Sequence, residues 1–248
     1  MKCAVSDFDR TLYVDGSVSA ENLKAVREWQ GAGNRFVLAT GRNESSLRGL
    51  LEAYSLKPDA LILNNGALIL DGTGKELFCR TIDDQTAREV LLFLHGLGEE
   101  GSGVSMRSGK INVLSGSGST TQKSSDGQIS INQIDCLKEI VQIHRRRKDK
   151  AWIKELCSQL NDRFPLISAY PNVWNGDIVA KGVDKSAAVD WISRYWKGFD
   201  EIRVIGDSAN DMKMIKDYSG ATLYSADPDI QAVAAAVVED VAEYLSMH

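Results

Sequence analysis

Cys3-Ala4-Val5-Ser6-Asp7-Phe8-Asp9-Arg10-Thr11-Leu12 sets a short apolar run directly before two carboxylates. The run from Cys3 to Val5 reads as a buried strand, and residues two apart on an extended chain point the same way. Asp7 and Asp9 are therefore expected together at the strand's carboxyl end, where ligands bind in open α/β sheets. Taken alone, an Asp-x-Asp after a strand is more often a turn and a helix cap than a reactive site.

Runs of the same character recur at Phe36–Ala39, Ala60–Leu63, Ile202–Ile205, Ala221–Tyr224 and Ala235–Val238. Lacking strict alternation, they suit a parallel sheet covered on both faces. Helical patterns lie between them. Ser19 caps a segment carrying Leu23, Val26 and Trp29 that ends near Gly31 and Gly33. Leu47, Leu50, Leu51 and Tyr54 share one helix face, and Ala188, Val189, Ile192 and Trp196 another. Repetition of strand, helix and strand predicts an α/β fold with a doubly wound, Rossmann-like parallel sheet.

From about Lys75 to Ala180 the pattern changes. The segments 105–116 and 126–135 alternate polar and apolar residues, as in an antiparallel sheet with one wetted face. The Gly/Ser/Thr-rich stretch Ser115–Gly127 reads as mobile. Residues 1–78 and 181–248 are thus assigned to a core, and 79–180 to a smaller inserted α+β domain.

A net charge of −5 argues against nucleic acid as the main partner, although a strongly anionic ligand still binds where cations converge locally. No apolar run approaches the roughly 20 residues that span a bilayer, and acidic residues arrive before any signal-length apolar stretch. Cys3, Cys79, Cys136 and Cys157 form no CxxC pair and no zinc-like spacing. These features predict a cytoplasmic protein with reduced thiols, without a membrane or nucleic-acid partner, and a monomer or homodimer.

Three further clusters adjoin predicted core elements. In Leu38-Ala39-Thr40-Gly41-Arg42, the Thr40 hydroxyl and the amides of Gly41 and Arg42 suit a phosphate oxygen, although a turn that opens a helix is the plainer reading of this motif alone. Lys185 stands at a helix start, where a cation opposes the macrodipole unless an anion lies between them; a solvated lysine is the plainer reading. Gly206-Asp207-Ser208-Ala209-Asn210-Asp211 gathers hard oxygen donors that suit magnesium. A capped helix needs only one of those side chains, so this loop is the most specific of the set. Independent caps have no reason to converge on one sheet edge with this chemistry.

With its Ser6–Leu12, Leu38–Arg42, Leu61–Ile69, Lys181–Lys185 and Gly206–Met214 segments, the chain resembles the haloacid dehalogenase superfamily, and within it the Cof-type branch. Fewer than thirty residues separate Leu12 from Thr40, whereas well over a hundred lie between Gly66 and Lys185. Only the second interval holds a domain, and an insert there is similar to the family's second cap type, which bears on substrate specificity. The resemblance implies a Mg2+-dependent phosphatase acting on a small phosphorylated metabolite, a sugar phosphate or similar. It implies Asp7 as nucleophile and Asp9 as general acid/base, with Thr40, Gly41 and Lys185 holding the phosphoryl group. The metal falls to Asp7, Asp207 and the backbone carbonyl of Asp9, with Asp211 acting directly or through water. Asn210 is implied at metal or phosphate. His95, His144 and His248 lie outside every motif.

One residue departs from the family. The position after Asp9 is usually glycine there and is Arg10 here. Either the loop keeps ordinary backbone angles or the site geometry differs. The basic run Arg145–Lys150 reads as a solvated face or helix entry. Trp174 and Asn175, read as lying just before the return to the core, are candidates to line the site, with packing at the hinge an equal reading for Trp174. A phosphomutase with the same covalent intermediate, and a non-catalytic binding protein on the same scaffold, remain as rival readings.

Overall fold

The computed structural model describes residues 1–98, 101–114 and 127–247. The stretch Ser115–Gly127 read as mobile therefore lies outside the described residues apart from Gly127, and His248 lies outside them too. In chain order, β1 (Lys2–Asp7), α1 (Ala20–Gly31), β2 (Arg35–Ala39), α2 (Glu44–Ala53), β3 (Ala60–Leu63), β4 (Leu68–Asp71) and β5 (Glu76–Cys79) come first. Then follow α3 (Asp84–Gly96), β6 (Ser102–Met106), β7 (Gly109–Leu114), β8 (Gly127–Ser130), β9 (Ile140–Arg146), α4 (Lys150–Arg163), β10 (Ile167–Asn172) and β11 (Asn175–Ala180). The chain ends with α5 (Lys185–Tyr195), β12 (Glu201–Ile205), α6 (Met212–Asp217), β13 (Ala221–Leu223), α7 (Pro228–Gln231), β14 (Ala236–Val238) and α8 (Val241–Ser246).

Two compact units result, residues 1–78 with 184–248, and residues 79–183. The second ends at Val183 rather than at Ala180 because local bonds retain residues 181–183. Lys181 N donates to Leu166 O at 2.9 Å, Val183 N to Ala180 O at 3.1 Å, and the Tyr170 hydroxyl to Val183 O at 3.0 Å.

The first unit holds an eight-stranded sheet in the order β14-β13-β12-β1-β2-β3-β4-β5. Neighbours from β14 to β3 are parallel. After β1 the chain winds one way through β2 and β3, and later the other way through β12, β13 and β14. The carboxyl end of β1 is thus the point where strand order reverses, the place at which such sheets bind ligands. Continuous apolar strands are needed here because helices cover the sheet. Val5, Val37, Ala39, Ile62 and Val204 pack in one buried cluster with Ala188, Val189 and Ile192 of α5. Each large side chain so buried contributes about 1.5–3 kcal/mol. Ser19 accepts from Asn22 N at 3.0 Å and starts α1, whose Val26 and Trp29 are buried.

The sheet departs from all-parallel at β4, which runs antiparallel to β3. The cause is the Asn64-Asn65-Gly66 turn, with φ of 51°, 57° and 105°, which reverses the chain in a few residues. A parallel return needs a crossover of a dozen or more. Gly66 is also where two backbones meet: a Cβ there would lie 2.5 Å from Asp184 O. Gly66→Ala is expected to cost at least about 2 kcal/mol, since both the positive φ and the contact oppose it. Urea denaturation checks this, and a cost below about 0.5 kcal/mol would show that the turn relaxes freely.

The second unit is a six-stranded sheet, β10-β11-β9-β6-β7-β8, with α3 packed on β6 and β9 and α4 on β10 and β11. It is antiparallel except at its edge, where β7 and β8 are parallel, against the fully antiparallel sheet expected. Residues 115–126 separate these strands, enough chain for a parallel return and more than a tight hairpin uses. Two other expectations need correction. Arg145 belongs to no solvated face, being 1% exposed inside β9; only the run beyond it enters α4, which Asp149 caps through Trp152 N. Trp174 stands exposed at the turn between β10 and β11, so a whole strand intervenes before the chain returns to the first unit. No helix among the described residues is long and apolar enough to cross a membrane.

Candidate active site

Register carries three strand ends to one place. Ser6 pairs with Ile205 of β12 and Asp7 with Ala39 of β2. Asp7, Thr40 and Asp207 consequently emerge side by side at the carboxyl edge. Beyond β1 the chain folds into a tight turn, in which Phe8 O accepts from Leu12 N at 3.0 Å and Tyr13 N at 2.7 Å. Arg10 in that turn has φ +66°. The loop therefore keeps the left-handed backbone that favours glycine, which rules out the first of the two alternatives, ordinary angles.

Lys185 arrives from α5, whose N-cap Asp184 accepts from Ala187 N at 2.7 Å. Asp184 answers the exposed amides at the helix start, which leaves the lysine side chain to look elsewhere. Its Nζ donates to Asp7 Oδ1 at 2.5 Å and to Asp211 Oδ1 at 2.7 Å, with none of the side chain exposed. The other Asp211 oxygen accepts from Asp207 N at 3.2 Å and Ser208 N at 3.1 Å. Gly206 makes this closeness possible, because a Cβ there would lie 2.4 Å from Asp211 Cγ. Asp207 Oδ1 accepts from the Thr11 and Ser208 hydroxyls at 3.2 and 3.0 Å. Arg10 Nη2 lies 2.7 Å from Asp207 Oδ2. That contact is an ion pair without hydrogen-bond alignment, so the buried Oδ2 has no hydrogen-bond donor among the described residues.

Three carboxylates, Asp7, Asp207 and Asp211, thus gather with oxygens within 4.8 Å of one another, facing two cations, Lys185 and Arg10. Burial pushes the Asp7 carboxyl well above the usual carboxylate range; Lys185 opposes this, and Asp211 and Asp207 add to it. Asp207 is pushed up to about 6, first by burial and then by Asp211, against Arg10, a hydrogen bond from Ser208, and Lys185. For Lys185, burial acts to lower the value, but Asp211 and Asp7 outweigh it and hold the ammonium charged. The cluster is short of positive charge. A divalent cation among hard oxygens, one of them without a donor, fits that shortage.

Other residues of the expected site stand slightly apart. Asp9 does not join the cluster: Arg42 grips its two oxygens at 2.7 and 2.6 Å, and its side chain is 42% exposed. Buried Thr40 accepts from Arg42 N at 3.1 Å, with half-buried Gly41 between them. Asn210 Nδ2 donates to Asn65 Oδ1 at 2.8 Å, and its own Oδ1 is buried without a donor among the described residues. Sequence reasoning missed the side chains of Thr11, Arg42 and Asn65 as parts of this arrangement. Asn65 carried the only local signal, in a turn placed at the end of β3.

A family model described as haloacid dehalogenase-like hydrolase matches residues 4–244. An uncharacterized protein of Mycoplasma capricolum is 37% identical over 99 residues, 38% of this chain and 37% of that protein. The Bacillus subtilis 5-amino-6-(5-phospho-D-ribitylamino)uracil phosphatase YwtE is 37% identical over 92 residues, 37% of this chain and 31% of that protein. The matched parts span about a third of these two relatives. The solved structure of the subclass IIB sugar phosphatase BT4131 shares the fold, with a TM-score of 0.82 at 19% identity over 99% of this chain and 96% of that one. Matched almost from end to end, with its carboxylates gathered at the reversal of the sheet, the chain belongs to the haloacid dehalogenase-like hydrolases.

Proposed function

We propose that this hydrolase is a Mg2+-dependent phosphatase that cleaves small phosphorylated metabolites, sugar phosphates foremost, through an aspartyl-phosphate. The observation that carries the reading is the buried Asp7 carboxylate, held at the carboxyl end of β1 by Lys185 at 2.5 Å. The phosphatase names of YwtE and BT4131 support it.

In the first step an Asp7 oxygen attacks phosphorus, a new P–O bond forms, and the bond to the leaving oxygen breaks. Asp9 protonates that oxygen, which requires it to leave the grip of Arg42 and arrive carrying a proton. In the second step water attacks the same phosphorus, Asp9 takes its proton, and the Asp7–phosphorus bond breaks to release phosphate. Lys185, the Thr40 hydroxyl and the Gly41 amide would hold the phosphoryl oxygens, on which charge accumulates. Lys185 is held for this by Asp211, both of whose oxygens already have partners; Asp211 thereby acts on the site through the lysine and the Gly206–Asp211 loop. Asp7, Asp207 and the Asp9 carbonyl would hold magnesium, with Asp211 beside them and Asn210 near the phosphate. Bound there, the ion supplies the positive charge that lets an anionic nucleophile approach an anionic ester. The inserted unit supplies substrate specificity.

The test is phosphate release from p-nitrophenyl phosphate and a panel of sugar phosphates, with magnesium or with EDTA. Release that EDTA abolishes and magnesium restores is expected. Folded, magnesium-loaded protein that releases phosphate from nothing in the panel would sink the reading, and stimulation by a bisphosphorylated sugar would favour the mutase.

A further inference from the structure

Arg10 follows the Asp7–Asp9 pair directly and sets a large cation at the rim of the carboxylate cluster. Its backbone is fixed in the left-handed region, φ +66°, with its N–H donating to Tyr13 O at 2.7 Å. That conformation disfavours an arginine and suits a glycine. From there the side chain, 45% exposed, sets Nη2 at 2.7 Å from Asp207 Oδ2, on a carboxylate side chain that is itself 1% exposed. Asp207 Oδ1 is already taken by two hydroxyls. Oδ2 is therefore the oxygen left for a metal, and the guanidinium covers it from the solvent side. The contact lacks hydrogen-bond alignment, so charge alone holds the pair, and a second cation is able to replace the first.

We propose that Arg10 is a built-in counter-cation for Asp207, competing with magnesium for Oδ2 and raising the metal concentration the site requires. The proposal rests on the magnesium reading above. Without metal, Arg10 neutralises a buried carboxylate whose other counter-charge, Lys185, is bonded to Asp7 and Asp211. With metal, the same charge is redundant, and the guanidinium must yield before Oδ2 binds. A half-exposed cation is readily resolvated, so the competition is modest rather than prohibitive.

Magnesium binding to the intact protein, measured by titration calorimetry and by melting temperature against magnesium concentration, tests this without any substrate. Arg10→Gly is expected to tighten the magnesium Kd severalfold, up to about fivefold, the factor that the free energy of one partly exposed ion pair supplies. Its melting temperature should begin to rise at correspondingly lower magnesium. Arg10→Gln serves as the second variant should the glycine loop fold poorly, and Arg10→Lys, which keeps the charge, should stay near wild type. Arg42→Gln removes a cation from the same sheet edge without touching Asp207. An unchanged Kd in both Arg10→Gly and Arg10→Gln, with wild type binding magnesium, overturns the proposal and leaves the metal reading standing. Equal tightening in Arg42→Gln overturns it also, since a diffuse field would then explain everything. Absence of magnesium binding in every variant overturns the metal reading, and the proposal with it.

Discussion

Asp7→Asn is expected to lower phosphate release by at least about a thousandfold while leaving the protein at least as stable as wild type. The loss follows from chemistry: an amide oxygen forms no stable phosphoryl ester, and neither Thr40 nor Lys185 supplies another nucleophile. The stability follows from electrostatics. Burial and the Asp211 and Asp207 carboxylates all press the Asp7 carboxyl towards its neutral form, and Lys185 alone opposes them appreciably. Neutralising it removes repulsion, while Lys185 keeps Asp211 at 2.7 Å. Release rates and urea unfolding, run on the same preparation with EDTA in the unfolding arm, separate the two effects. A variant that keeps more than about a tenth of the rate would exclude Asp7 as nucleophile. A variant that unfolds far more easily would show that the Asp7–Lys185 bond carries structure as well as reactivity.

What was legible in the sequence follows from what is local. Parallel strands buried on both faces leave uninterrupted apolar runs, so Phe36–Ala39 and Ile202–Ile205 are recognisable from the sequence alone. Side-chain caps act over a few residues, so Ser19 marked the start of α1 by itself. The edge at which Asp7, Thr40, Lys185 and Asp207 emerge could be inferred because each follows or adjoins such an element. Pairings between distant side chains were not legible. Arg42 carries no sequence mark of its grip on Asp9, nor Arg10 of its hold on Asp207, since neither partner is set by periodicity. The parallel edge of β7 and β8 was missed because alternation specifies a strand's faces and not its direction. Arg145 was misplaced because a charge run looks the same whether its first residue enters a strand or stays in water.

Lys185→Met is expected to cost about 3–5 kcal/mol at neutral pH in the absence of metal, the range for removing one partner of a buried ion pair. Methionine keeps most of the length and removes the charge, leaving the three carboxylates with Arg10, paired to Asp207, as the one cation still in contact among the described residues. The deficit should depend on pH, with a sign that can be worked out. Asp207 in the fold is pushed up to about 6 from 3.8, and Asp7 is raised as well. For such groups the folded state binds the proton more tightly than the unfolded state, so their stabilisation is complete below the unfolded value and lost as pH rises through the folded one. Lys185 is among the influences holding both carboxyls down, so its removal raises them further. The gap between wild type and variant should therefore be smallest near pH 4 and widen through about pH 6 and above. Urea unfolding in EDTA across that range reads the gap directly, and a constant difference would mean that packing, not charge, makes Lys185 necessary. Added magnesium should narrow the gap at neutral pH, because a divalent ion restores positive charge to the same oxygens. Phosphate release should nevertheless stay low, since Lys185 also holds a phosphoryl oxygen in the proposed mechanism. Recovery of stability without recovery of turnover would separate the lysine's two roles: a counter-charge that any cation supplies, and a donor placed where only α5 delivers it.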